Sequence, residues 1–122
     1  MSYDHPRVQV LLDDAGVRVV VLSGEFDVDS VEPVRGVLAA AVRDGVRVVV
    51  DISAVTFADS SLLTTLLFGR RSAPLALAGP VPSQFAELLE MSCAGPSLEI
   101  EPTREGARAR AAALSPLERL AP

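Results

Sequence analysis

Cysteine occurs once in the chain, as Cys93, and tryptophan not at all. A single thiol can form no internal disulfide and no thiolate cluster for zinc, so Cys93 reads as a small buried hydrophobe without a redox role. Aromatic residues amount to only 4% of the chain, which leaves no stacking platform for bases or sugars. Positive charge is also short: 11 Lys and Arg stand against 16 Asp and Glu, for a formal net charge of −5. That balance argues against nucleic-acid binding, which shows as a basic stripe, and points to a protein partner. No apolar run approaches the ~20 residues that span a bilayer. The first ten residues lack the basic-then-apolar order of a secretory signal, so a cytoplasmic protein without membrane insertion is expected.

What the chain has is apolar residues, 49% of the total, with a mean hydropathy of +0.35. Its 122 residues make one domain, which at this size buries roughly two-thirds of its unfolded surface without disulfides or metals. Residues 8–12 alternate weakly and residues 17–22 form a β-branched run; between them Asp13, Asp14, Ala15 and Gly16 read as a hairpin turn. Asp29 or Ser30 is placed to cap a helix in which Val31, Val34, Val37, Leu38, Ala41 and Val42 recur at helical spacing, with Pro33 in its first turn and Gly45 past its end.

Residues 46–50 are too few for a helix and lack polar alternation, as in a central strand covered on both faces. A loop is expected over 51–58, with Asp51 organising it. A second helix then opens at Asp59, Ser60 and Ser61, runs to Phe68 and ends near Gly69 or Arg71, before Pro74. Leu63, Leu66 and Leu67 form its core stripe. A strand over 75–78, a helix over 82–91, a weak strand over 98–100 and a helix over 103–114 complete the pattern. Two strands followed by alternating helices and strands give an α/β fold, a mixed β-sheet flanked by α-helices in a single domain over 8–114. Residues 1–7 form an N-terminal arm and 115–122 a C-terminal tail.

Chemistry concentrates at Asp59, Ser60 and Ser61. A serine in the first helical turn sits among backbone N–H groups without intrahelical acceptors, at the positive end of the helix dipole, where anions are welcome. Asp59 or Ser60 alone would serve as an N-cap, and capping needs no more than one or two of the three. Three segments together are similar to the STAS-domain pattern: Gly24-Glu25-Phe26-Asp27 after a strand, Val49-Val50-Asp51-Ile52-Ser53 ending the next, and Phe57-Ala58-Asp59-Ser60-Ser61-Leu62-Leu63 opening a helix. The chain resembles the bacterial anti-sigma factor antagonists of that family.

The resemblance implies that Ser61 is the acceptor of a phosphate from a partner that is both serine kinase and anti-sigma factor. ATP would be held by that partner, and a phosphatase would be a further one. The unphosphorylated form would bind, and phosphorylation would release it, regulating sigma-factor-dependent transcription. Asp27, Asp59, Ser60 and Leu62 would surround the phosphosite; for Asp27 a turn or cap role is the alternative. Leu62 departs from the family, which usually has glycine there. Leucine either simply stabilises the helix, by roughly 1 kcal/mol, or adds a bulky apolar group beside Ser61 that alters partner choice or impedes the kinase.

No catalysis by the chain itself is expected, nor any cofactor or metal. A nucleophilic serine needs an adjacent base and an oxyanion site, yet His5, the sole histidine, falls in the N-terminal arm, and neither a nucleophile elbow nor a Walker loop is present. The competing function is a STAS module that binds its partner without phosphorylation, as a stress-signalling scaffold or a transporter-associated subunit.

Overall fold

The computed structural model describes residues 4–115. Residues 1–3 of the expected arm and 116–122 of the expected tail lie outside them. The elements follow the order β1 (Arg7–Val10), β2 (Val17–Phe26), α1 (Glu32–Asp44), β3 (Arg47–Ala58), α2 (Ser60–Ser72), β4 (Leu75–Ala78), α3 (Ser83–Ser92), β5 (Ile100–Glu101) and α4 (Arg104–Ala113), with a short 3-10 turn at Gly95–Ser97 before β5.

The five strands form one mixed sheet in sequence order, β1-β2-β3-β4-β5. β1 pairs antiparallel with β2, and the rest are parallel. Asp14 and Val17 bridge the hairpin, and Ala15 and Gly16 both adopt positive φ, the backbone that a tight two-residue turn between twisted strands requires. A sheet that grows in one direction through right-handed crossovers places every crossover helix on the same face. The packing agrees. Val34 and Leu38 of α1, Leu62 and Leu66 of α2, and Phe85 and Leu89 of α3 share one core with Val20, Val48 and Leu77. The opposite face is covered by α4, where Ala107 and Ala111 meet Val49, Ala76 and Ala78; these small residues allow a close approach of helix to sheet.

Several boundaries differ from the sequence reading, each for a physical reason. The segment 51–58, expected as a loop, continues β3. Its pairing with β2 shifts register between Val21 and Ser23 and again between Gly24 and Glu25, so side chains lose the period-2 alternation by which a strand is recognised. Neither Asp29 nor Ser30 caps α1: the N-cap is Val31, without a side-chain hydrogen bond, because Ser30 is engaged in the turn before it. The last strand is displaced to Ile100–Glu101, and Leu98 is buried outside it.

Cys93 is exposed. It ends α3 in the left-handed conformation at φ 59°, a place set by the backbone and not by the apolarity of its side chain. The segment around His5 lies against β2: Glu25 N donates to the Asp4 carbonyl at 3.0 Å. Gly24, at φ 91°, makes room for it, since a Cβ there would collide with the His5 carbonyl.

Candidate functional site at the start of the second helix

The site begins where β3 ends. Ala58 lies opposite Phe26 in the parallel register, and the next amide, Asp59 N, donates to the Phe26 carbonyl at 3.2 Å. Asp59 is extended, with φ −104° and ψ −171°, so the chain turns from strand to helix at this residue. Its Oδ1 accepts from Ser61 N at 2.8 Å, satisfying one of the four amides that a helix start leaves without an intrahelical acceptor. Of the two serines, Ser60 is exposed and Ser61 half-buried. The Thr65 hydroxyl donates to the Ser61 carbonyl at 2.8 Å. Among the described residues no hydrogen bond engages the Ser61 hydroxyl itself, which sits at the positive end of the α2 dipole.

A residue that the sequence did not single out fixes this corner. Gln84, in the first turn of α3, accepts from Ala58 N at 2.9 Å and donates to the Ala58 carbonyl at 2.8 Å. The carboxamide thus pairs with one residue of β3 much as a neighbouring strand would, immediately before the cap. Nothing local marks Gln84 in the sequence, because its partner is 26 residues away.

The expected site residues divide. Asp59, Ser60 and Ser61 stand together as the helix start. Asp27 reaches the same corner through its backbone neighbour Phe26, but its side chain closes its own turn. Its Oδ1 accepts from Asp29 N at 2.9 Å and from the Ser30 hydroxyl at 3.1 Å, while Ser30 Oγ accepts from Asp27 N at 2.9 Å. Leu62 is fully buried in the core. The expectation of a bulky apolar group beside Ser61 on the docking surface is therefore corrected: position 62 points inward, toward the sheet. Two other apolar side chains do reach solvent close by, Val28 in the turn after β2 and Phe57 at the end of β3, with exposures of 69% and 42%.

Asp51 serves the fold. Its Oδ1 accepts from the Ser53 amide and hydroxyl at 2.9 and 2.7 Å, and its Oδ2 from Arg104 Nε at 2.6 Å, which ties the start of α4 to β3. Burial pushes its carboxyl up, yet the hydrogen bonds from Arg104 and Ser53 outweigh this and hold it below the usual carboxylate value. Among the described residues no group of three His, Cys, Asp or Glu side chains could hold a metal ion, and no helix is long and apolar enough to cross a membrane.

The family model described as Mlab, STAS domain, matches residues 10–95. A crystallised anti-sigma factor antagonist from Mycobacterium paratuberculosis is similar with a TM-score of 0.78 at 23% identity, over 89% of this chain and 96% of its own. The anti-sigma factor antagonist SpoIIAA in its unphosphorylated form gives 0.70 at 23% identity, over 89% and 99%. The phosphorylated form of the Bacillus SpoIIAA gives 0.64 at 24%, over 85% and 98%. No curated protein sequence matches. At these identities the structural likeness is one of fold.

Proposed function

We propose that this chain, which belongs to the STAS domain family, is an anti-sigma factor antagonist switched at Ser61, with its functional domain over residues 8–114. In the unphosphorylated form it binds an anti-sigma factor of the serine-kinase type, docking through the end of β3 and the first turns of α2. The partner holds ATP and transfers a phosphate to Ser61, which ends the binding; a phosphatase would restore it. The protein has a regulatory binding role in the cytoplasm and contributes no catalytic group.

The observation that carries this reading is the placement of Ser61: half-buried, in the first turn of α2, its amide held by Asp59 at 2.8 Å and its hydroxyl unengaged among the described residues. Phosphorylation adds about −1.5 to −2 charges at neutral pH. The helix N-terminus offsets part of that charge, so the fold should persist. SpoIIAA is similar to this chain in both its unphosphorylated and its phosphorylated form, in keeping with a switch that leaves the fold intact. The change acts on the docking surface. A partner that covers Ser61 would have to desolvate a doubly charged group beside Asp59, and a penalty of about 4 kcal/mol weakens binding roughly a thousandfold.

A second reading, a STAS module that binds without phosphorylation, requires only the STAS domain that the family model matches. One experiment separates the two. The protein is incubated with ATP and each kinase-type anti-sigma factor of its own genome, its intact mass is measured, and any phosphorylated peptide is mapped. A single phosphate on Ser61 with loss of binding is expected. Tight binding without phosphate would replace the switch by the constitutive module, and neither outcome in any pairing would remove the antagonist role.

A further inference from the structure

On the outer side of α1 and α2, away from the sheet, lies an apolar groove whose lining includes Leu38, Ala39 and Val42 from one helix and Phe68 and Gly69 from the other. The helices approach closely because position 69 is glycine: a Cβ there would lie 2.9 Å from Leu38 Cδ1. Phe68 stands over this groove with 62% of its surface exposed. The rim is cationic. Arg35, Ala39 and Arg43 form an exposed stripe at four-residue spacing on α1, and on α2 the Arg71 guanidinium sits 5.9 Å from the Phe68 ring centroid. Among the described residues Arg35 pairs only with exposed Glu32, at 2.9 Å, a contact worth little in water. Among the described residues Arg43 and Arg71 have no acidic partner.

This is unusual in a chain of net charge −5. Arginines in the last turns of α1 and α2 complement the helix dipoles, which accounts for their presence but not for the exposed phenylalanine between them. An aromatic residue in an apolar groove with unpaired arginines at its rim has the composition of a binding surface.

We infer that this groove docks an amphipathic helix of a partner protein whose apolar face is flanked by acidic side chains. Two roughly parallel helices offer a third one a trough about two turns long, which fits anchors spaced i, i+3 or i+4, and i+7. Charge selects the occupant. A second copy of this chain placed about a two-fold axis would bring Arg35, Arg43 and Arg71 against their own counterparts, whereas carboxylates flanking an apolar stripe would meet cations on both sides. The groove runs from Arg35 and Thr65 to Val42 and Ser72 along α1 and α2, and Ser61 does not line it, so the inference does not rest on the phosphorylation proposed above.

The test uses two designed helical peptides of about 18 residues, long enough to hold helix in water. They share the same leucine stripe, and one is flanked by glutamate, the other by lysine. Binding to the full chain is measured by fluorescence anisotropy at low and high salt. The acidic peptide is expected to bind at least about tenfold more tightly than the basic one and to weaken as salt rises. Phe68→Ala and Arg71→Glu should each weaken it at least about tenfold while leaving the thermal transition within a few degrees of the parent, since both side chains are exposed. Equal affinity for the two peptides, no binding of the acidic one up to millimolar concentration, or indifference to both substitutions would overturn the inference. Reversible dimerisation of the chain by sedimentation, abolished by Phe68→Ala, would overturn it in favour of a second copy.

Discussion

The Gln84 carboxamide holds Ala58 by both of its backbone groups, accepting from its amide at 2.9 Å and donating to its carbonyl at 2.8 Å. α3 thereby fixes the residue that precedes the α2 cap, and the start of α2 is positioned by three elements: β2 through the Phe26 carbonyl, α3 through Gln84, and its own cap through Asp59.

Gln84→Ala should leave both Ala58 groups to water, with a cost of about 1–2 kcal/mol. Urea unfolding measures that cost. Hydrogen exchange should speed up at Ala58 and Asp59 more than in β4, which the clamp does not touch. Gln84→Glu should also destabilise at neutral pH, because its carboxylate can still accept from Ala58 N but cannot donate to the Ala58 carbonyl and repels it. Full stability in both variants would show that the clamp contributes nothing.

Asp59→Ala removes the acceptor for Ser61 N and should cost about 1 kcal/mol, while Asp59→Asn keeps a capping oxygen and should cost less. Thermal unfolding of the two variants ranks them. Equal losses in the two variants would mean that the carboxylate charge at the helix start, which both remove, matters more than the hydrogen bond.

Leu62→Gly installs the residue usual in the family. Because Leu62 is buried, the substitution should cost about 3–5 kcal/mol, through lost burial, a cavity and reduced helix propensity. Equilibrium unfolding would show this as a lowered midpoint without a change in the first-turn cap. A loss below 1 kcal/mol would mean that the surrounding core collapses into the space.

These residues also show what was readable in the sequence. The start of α2 was, since Asp59 caps the Ser61 amide two residues further on and that chemistry is local. The alternation of strand and helix was, since the apolar periods of β2, α1 and α2 lie within single elements. The second half of β3 was not, because its register shifts depend on β2. Ser30 offered a cap from its type alone, but its hydroxyl is claimed by Asp27. Cys93 was assigned by composition, and a left-handed helix end turned it to solvent. Of the two readings of Leu62, helix stabilisation or a bulky group beside Ser61, the sequence could not choose, because a motif gives spacing, not the direction of a side chain at the third helical position. Gln84 had no local signal at all.

Ser61→Asp should keep the fold, as judged by circular dichroism and a nearly unchanged melting point, while weakening the kinase-type partner at least about tenfold by titration calorimetry. Ser61→Ala should bind without being phosphorylated, and Ser60→Ala should both bind and be phosphorylated on Ser61. Unchanged affinity of Ser61→Asp would remove charge as the switching agent.

The Asp51–Arg104 pair ties α4 to the sheet and should make stability depend on acid pH. The Asp51 carboxyl is held below its usual value in the folded chain: burial pushes it up, but hydrogen bonds from Arg104 and Ser53 prevail. A carboxyl whose folded pKa lies below its unfolded one binds fewer protons when folded. Its stabilisation is therefore complete above the unfolded value of about 3.9 and disappears as pH falls through the folded one. Asp51→Asn should destabilise at pH 7 and converge with the parent at the acid end of a series of urea unfolding curves. Arg104→Ala leaves the carboxyl buried with Ser53 alone, so burial gains weight and the folded pKa rises. That variant should lose about 1–3 kcal/mol at pH 7, and its acid transition should begin at higher pH than the parent's. If the three proteins gave parallel pH profiles, the link between α4 and β3 would rest on the alanine packing of Ala107 and Ala111 and not on the ion pair.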